Sequence, residues 1–224
     1  MTTVLGVDAC PSGWVGIKLR DGHFAAACRA PSLLDVVRLV SDADAVAVDI
    51  PLGLVDRGWR DADTAAKRFL RARSSSVFMT PPRAALALDT HALASAHCRE
   101  VNGGGFSIQA WGLKTKLLEA NTLYERGAYP LREVHPEVSF TAMGLLPGDG
   151  SKKSWRGQRA RLRLLRVEGV DLPDDLDTAG DVPTDDVLDA AAAAWSAHRI
   201  ARGDAKSLPD PPRNDRGQTI AIWY

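Results

Sequence analysis

The chain has no surplus of charge of either sign. Its 28 Lys and Arg balance 28 Asp and Glu, and the sequence pI is about 7.0. A protein that coats nucleic acid nonspecifically needs a broad excess of Lys and Arg, so that class is excluded. Cysteine is scarce. Cys10, Cys28 and Cys98 form no CxxC pair and no zinc-like spacing, which excludes a disulfide framework and points to a reduced, cytoplasmic setting. No apolar stretch approaches the roughly 20 residues that span a bilayer, and no charged-then-apolar leader begins the chain, so neither a membrane-embedded nor a secreted protein is expected. Aromatics make up 6% of the residues, and the six tryptophans read as core or interface anchors rather than base-stacking platforms. Gly103-Gly104-Gly105 lacks the lysine of a phosphate-binding loop and follows no clear strand, so it reads as a helix stop and turn.

What is present is an ordinary globular composition, 45% hydrophobic and 25% charged over 224 residues, for which one domain spanning 1–224 is the default. The most informative feature is an aspartate at the end of an apolar run. Val4-Leu5-Gly6-Val7-Asp8 is followed at once by turn residues, and Ala45-Val46-Ala47-Val48-Asp49 repeats the pattern before Ile50-Pro51-Leu52-Gly53. An ionised carboxylate at the end of a strand buried on both faces costs several kcal/mol, as an order of magnitude, unless a cation or donor set compensates it.

The chain can make the two aspartates neighbours. Trp14 to Leu19 and Phe24 to Cys28, separated by Asp21-Gly22, complete a three-stranded meander. Leu33 to Val40 then has helical spacing, with Ser32 placed to cap it. A right-handed crossover through that helix returns the Asp49 run parallel to the Asp8 run. Helical segments are expected over Asp61 to Arg73, Asp89 to Asn102 and Ala110 to Arg126, forming an insertion about residues 57–130 after the fourth strand. Leu131 to Phe140 alternates and reads as the fifth strand, carrying His135 and Glu137. The expected fold is α/β, a mixed five-stranded sheet flanked by helices. Pro209 to Pro212 reads as a tail that ends the helical region, and Thr219 to Tyr224 as a terminal strand fit for a sheet edge or a homodimer contact.

A third set of carboxylates opens a late helix. In Pro183-Thr184-Asp185-Asp186-Val187-Leu188-Asp189-Ala190, Asp186 and Asp189 share a face. Acids in a first helical turn complement the macrodipole, which alone accounts for Asp185 and Asp186. Asp189 sits deeper, ahead of the small surface Ala190 to Ala194, and reads as a metal ligand. Charge is also unevenly placed. Lys152, Lys153, Arg156, Arg159, Arg161, Arg163 and Arg166 form an acid-free segment, and an acidic stretch follows from Glu168 to Asp189. Such an arm would supply phosphate contacts to nucleic acid from a local patch, while a solvated helix beside a polar loop gives the same pattern. Arg73 with Ser75 and Ser76 offers a second combination of charge and hydroxyls suited to phosphate.

Two strand-terminal aspartates with Asp-x-x-Asp-Ala on a late helix resemble the ribonuclease H-like superfamily, especially its Holliday-junction resolvase branch. Gly6-Val7-Asp8 through Gly13-Trp14, Asp49 to Gly53, Arg73 to Phe78, Gln109-Ala110-Trp111, Glu133 to Glu137 and Asp186 to Ala190 resemble the family called domain of unknown function 429, whose members are termed predicted nucleases on fold grounds. The resemblance runs from about Val4 to Pro211. It implies that Asp8, Asp49 and Asp189, with Asp186 as a fourth, hold two Mg2+ or Mn2+ ions for phosphodiester hydrolysis, a chemistry that wants carboxylate ligands. His135 would then carry a proton or support an acid, or else hold a backbone turn beside Pro136, and Glu137 would be a further ligand. Asp49 departs from the glutamate common in resolvases, and its shorter reach would shift a metal. Two other classes stay open. Asp8 with Ser12-Gly13 would face ATP phosphates in an actin-like or sugar-kinase-related phosphotransferase, although that fold normally uses two such domains. A noncatalytic binding protein could keep the same fold without turnover.

Overall fold

The structure is a computed structural model that describes residues 1–224. In chain order the elements are β1 (Thr3–Cys10), β2 (Gly13–Arg20), β3 (His23–Ala30), α1 (Leu33–Leu39), β4 (Ala45–Val48), α2 (Asp61–Leu70), α3 (Arg83–Leu86), α4 (His91–Asn102), α5 (Ile108–Gly112) and α6 (Lys114–Arg126). They continue with β5 (Leu131–Val134), α7 (Pro136–Ala142), α8 (Trp155–Val167), α9 (Thr184–Arg202), β6 (Ser207–Asp215) and β7 (Gln218–Trp223). No helix is long and apolar enough to cross a membrane. The chain divides into two compact units, one formed by Met1–Ile50, Gly127–Lys206 and Trp223–Tyr224, the other by Pro51–Arg126 and Ser207–Ile222.

The first unit follows the expected path. β1 and β2 pair antiparallel from Thr3↔Arg20 to Cys10↔Gly13, β2 pairs antiparallel with β3, and β4 returns parallel to β1 with Val4↔Ala45 to Val7↔Val48 in register. β5 continues parallel to β4, giving the order β3-β2-β1-β4-β5. The Asp21-Gly22 turn forms, with positive φ at both residues, and the Ser32 hydroxyl accepts the Asp35 amide at 3.1 Å as the α1 cap.

The long helix α9 packs on β1, β2 and β4, and the composition of both surfaces explains how closely. Residues Ala190 to Ala194 are buried, and Gly6 lies directly beneath them: a Cβ built on Gly6 would fall 1.9 Å from Ala194 N and 2.3 Å from Ala190 O. Backbone therefore meets backbone. Ser139 on α7 and Ser196 on α9 share a buried hydroxyl–hydroxyl hydrogen bond of 2.8 Å that fixes these two helices.

The second unit holds helices α2 to α6, strand β6 and all of β7 but its last residue, Trp223. Phe106, Cys98 and three alanines form a small core with Trp59, Phe78, Leu88 and Trp111 packed around it. Arg60 and Asp63 are buried together, 3.7 Å apart, and Asp63 accepts the Thr80 amide at 2.8 Å. Asn121 accepts the Gly53 amide at 2.8 Å and donates to the carbonyls of Pro51 and Leu117, satisfying a buried turn. Gly103 ends α4 in the left-handed conformation, as a helix stop should.

Three expectations are corrected. The chain contributes seven strands to its mixed sheet, not five. The segment from Leu131 to Phe140 is a strand only to Val134, because Pro136 occupies the first helical position and has φ suited to starting α7. The proline-rich stretch 209–212 lies within strand β6 rather than in a tail. β6 is the edge strand of the sheet, where a residue without an N–H can be accommodated.

Candidate metal centre

The end of the parallel ladder builds the site. Val7 and Val48 are its last paired residues, and the Asp49 amide donates to the Val7 carbonyl at 2.9 Å. Asp8 and Asp49 are therefore the next residues of two adjacent parallel strands. Asp8 does not end its strand, since β1 continues in its hairpin with β2 to Cys10, but it stands where β4 has stopped. Side chains alternate along a strand, so Asp8 projects on the same face as Gly6, the face that α9 covers. α9 rests on Gly6 through Ala190 and Ala194, and this places Asp189, one residue before Ala190, over Asp8. Carboxylate oxygens of Asp8, Asp49 and Asp189 all lie within 4.8 Å of one another.

Burial and mutual repulsion dominate the electrostatics. Asp8 is held well above the ordinary carboxylate value of 3.8, first by burial and then by the charges of Asp49 and Asp189. Asp49 is pushed up to about 7 by burial, with Lys152 opposing and Asp186 and Glu137 adding to the rise. Asp189 is likewise pushed up to about 7 by burial, again against Lys152. The satisfied contacts are few. Asp8 Oδ1 accepts the Ala9 amide at 2.6 Å, and Asp189 Oδ2 accepts Lys152 Nζ at 2.5 Å. Asp189 Oδ1 is buried without any hydrogen-bond partner.

A second layer surrounds this cluster. Lys152 Nζ also lies 3.9 Å from Asp185 Oδ2. Burial works against the ammonium charge, but Asp189, Asp49 and Asp8 outweigh it and raise the lysine pKa. Glu137, whose charge is felt at Asp49 and Asp189, is paired with the Nη2 of Arg161. Arg161 is 1% exposed and also donates from Nη1 to the Gly157 carbonyl at 3.0 Å. It therefore faces inward and leaves the solvent-facing arm to its neighbours. Gly157 has a further role: a Cβ there would lie 1.9 Å from the Ser151 carbonyl, so its absence lets the loop bearing Lys152 fold onto the first turn of α8. His135 opens α7 through its backbone, its carbonyl accepting the amides of Val138 and Ser139.

The donor set fits a hard divalent cation. An octahedral Mg2+ or Mn2+ with bonds of ~2.1 Å keeps its ligand oxygens roughly 3 to 4 Å apart, a spacing compatible with aspartate oxygens that lie within 4.8 Å of one another. A buried carboxylate oxygen with no donor is what such an ion would satisfy.

The family described as Protein of unknown function (DUF429) matches residues 6–214. The chain belongs to the DUF429 family. No curated protein and no solved structure matches it. The matched span contains all three clustered aspartates and Lys152.

In this DUF429 chain the remaining sequence-derived residues fall into separate groups. Lys153, Arg156, Arg159 and Arg163 are exposed, the three arginines along one side of α8, with Arg159 stacked over the exposed Trp155 ring at 5.4 Å. A cavity of about 1030 Å³ is lined by Arg156, Arg159 and Arg163 together with Asp174, Asp175, Asp177 and Asp181. Arg73, Ser75 and Ser76 belong to the second unit, on a short 3-10 helix from Arg71 to Ser76, where the Ser76 hydroxyl donates to the Arg73 carbonyl at 2.8 Å. Sequence reasoning assigned Lys152 to the cationic arm and missed its place among the carboxylates. No local signal connects it to Asp189, 37 residues later.

Proposed function

We propose that this chain is a metal-dependent nuclease of ribonuclease H-like type, hydrolysing phosphodiester bonds in nucleic acid. One observation carries the reading: three aspartates from β1, the end of β4 and α9 each bring an oxygen within 4.8 Å of the others, where burial and mutual repulsion disfavour their joint ionisation even beside Lys152. Two bound Mg2+ or Mn2+ ions would supply an activated water and stabilisation of the departing oxygen. Asp8, Asp49 and Asp189 hold and orient such ions, and Asp186 and Glu137 add negative charge around them. Arg161 fixes the Glu137 carboxylate, so that residue acts from a set position. The exposed arginines of α8 begin only a few residues after Lys152. From Arg156 to Arg163 they span roughly 10 Å of the helix and would meet neighbouring phosphates of a strand leaving the site.

The test is cleavage of a panel of branched, duplex and single-stranded nucleic acids by purified protein with Mn2+ or Mg2+. At least one substrate should be cut, and Asp8→Asn and Asp49→Asn should reduce cutting to background. No cleavage across the panel, or cleavage unchanged in those variants, overturns the reading.

A further inference from the structure

Lys152 is bound to the residue a metal would need. Its ammonium lies 2.5 Å from Asp189 Oδ2 and 3.9 Å from Asp185 Oδ2, while Asp189 Oδ1 has no partner. The two ends of this contact differ in freedom. The Asp189 side chain is 3% exposed, on a helix whose backbone touches β1, whereas the Lys152 side chain is 36% exposed and sits on the loop between Gly150 and Ser154. A lysine presents its charge on a flexible four-carbon stem and can withdraw without unpacking a core. An ammonium and a divalent ion seek the same lone pairs and repel each other strongly in a partly desolvated site. If both compete for Asp189, the lysine is the one able to move.

We propose, on the reading of the cluster as a metal centre, that Lys152 is an internal counter-ion. It holds the cation position in the metal-free chain, gives way to a divalent ion, and then contacts a phosphate oxygen of the substrate. The released ammonium stays beside exposed Lys153 and Arg156, at the start of the arginine-bearing face. Metal and phosphate would consequently bind in order. Before metal arrives, the lysine is engaged by acids and the cluster repels anions. Afterwards the acids are neutralised and the lysine is available.

Calorimetric titration of Mn2+ into wild type, Lys152→Met and Lys152→Gln, with thermal unfolding of each in chelator and in Mn2+, tests this without relying on catalysis. Both variants should bind Mn2+ about tenfold or more tightly than wild type and gain more in Tm from it. Inorganic phosphate titrated into the Mn2+-saturated proteins should bind wild type about tenfold or more tightly than either variant. Mn2+ binding that is equal or weaker in the variants overturns the proposal and leaves the metal centre standing. Phosphate binding unchanged in the variants overturns the second half of Lys152's role. Absence of Mn2+ binding in every protein, wild type included, overturns the metal-centre reading itself.

Discussion

Replacing Asp49 by Asn should make the metal-free protein more stable at neutral and alkaline pH. In the folded chain the Asp49 carboxyl is pushed from 3.8 to about 7, chiefly by burial. A raised carboxyl pKa means that the ionised form is penalised in the folded state. The penalty is absent below about pH 4, where folded and unfolded chains both carry the proton, grows as pH rises, and is complete above about pH 7. At 1.36 kcal/mol per pK unit the ceiling is ~4 kcal/mol. Asp8 and Asp189 share the strain, and protonating any one of the three relaxes the others, so about half of that ceiling is the expected gain on removing one charge. For a chain of this size ~2 kcal/mol corresponds to a rise in Tm of about 4 to 8 °C. The assay is thermal unfolding of wild type and Asp49→Asn in chelator, followed across pH 4 to 8. The gain should be small near pH 4 and full at pH 8. A variant that is less stable at pH 8, or a gain independent of pH, would refute the assignment of strain to these carboxylates.

Three further outcomes are expected. On the metal-centre reading, divalent ions compete with protons at Asp8, Asp49 and Asp189, all held above the ordinary carboxylate value, so Mn2+ affinity should climb as pH rises through about 7, with proton release detectable by calorimetry in buffers of different ionisation enthalpy. Gly6→Ala should cost at least ~3 kcal/mol in urea unfolding or prevent folding, since the new Cβ would fall on the α9 backbone, and a nearly neutral result would contradict the packing. Converting Arg156, Arg159 and Arg163 together to Glu should weaken duplex binding and flatten its log–log salt dependence by about one unit per lost phosphate contact; an unchanged slope would assign this face to solubility.

Much of the first unit was legible because its signals are local. Apolar runs closed by Asp8 and Asp49, the Asp21-Gly22 turn and the Ser32 cap specify strand, turn and helix within a few residues, and right-handed crossover then supplies the parallel pairing. The alanines after Asp189 told of close packing, although the partner, Gly6, emerges only in three dimensions. Failures came where two local rules conflict. Alternation from Leu131 to Phe140 suggests one long strand, but Pro136 starts a helix. The prolines of β6 argue against a strand, but an edge position tolerates them. The acid-free segment reads as one cationic surface, yet Lys152 and Arg161 turn inward to carboxylates distant in sequence, which no spacing within the segment announces.

The hydrogen bond from the Asp49 amide to the Val7 carbonyl, the last rung of the β1–β4 ladder, ties the local opening of the site to the breathing of the sheet. Two of the three carboxylates are borne by the adjacent parallel strands β1 and β4 at the end of their ladder, and the third by the helix pressed against them. That amide should exchange with solvent deuterium about as slowly as the central strands, through global rather than local unfolding. The cluster is then preorganised: its repulsion cannot be relieved by spreading the aspartates apart, only by protons, by Lys152 or by a bound ion. Small motions are left to the loop that carries the lysine.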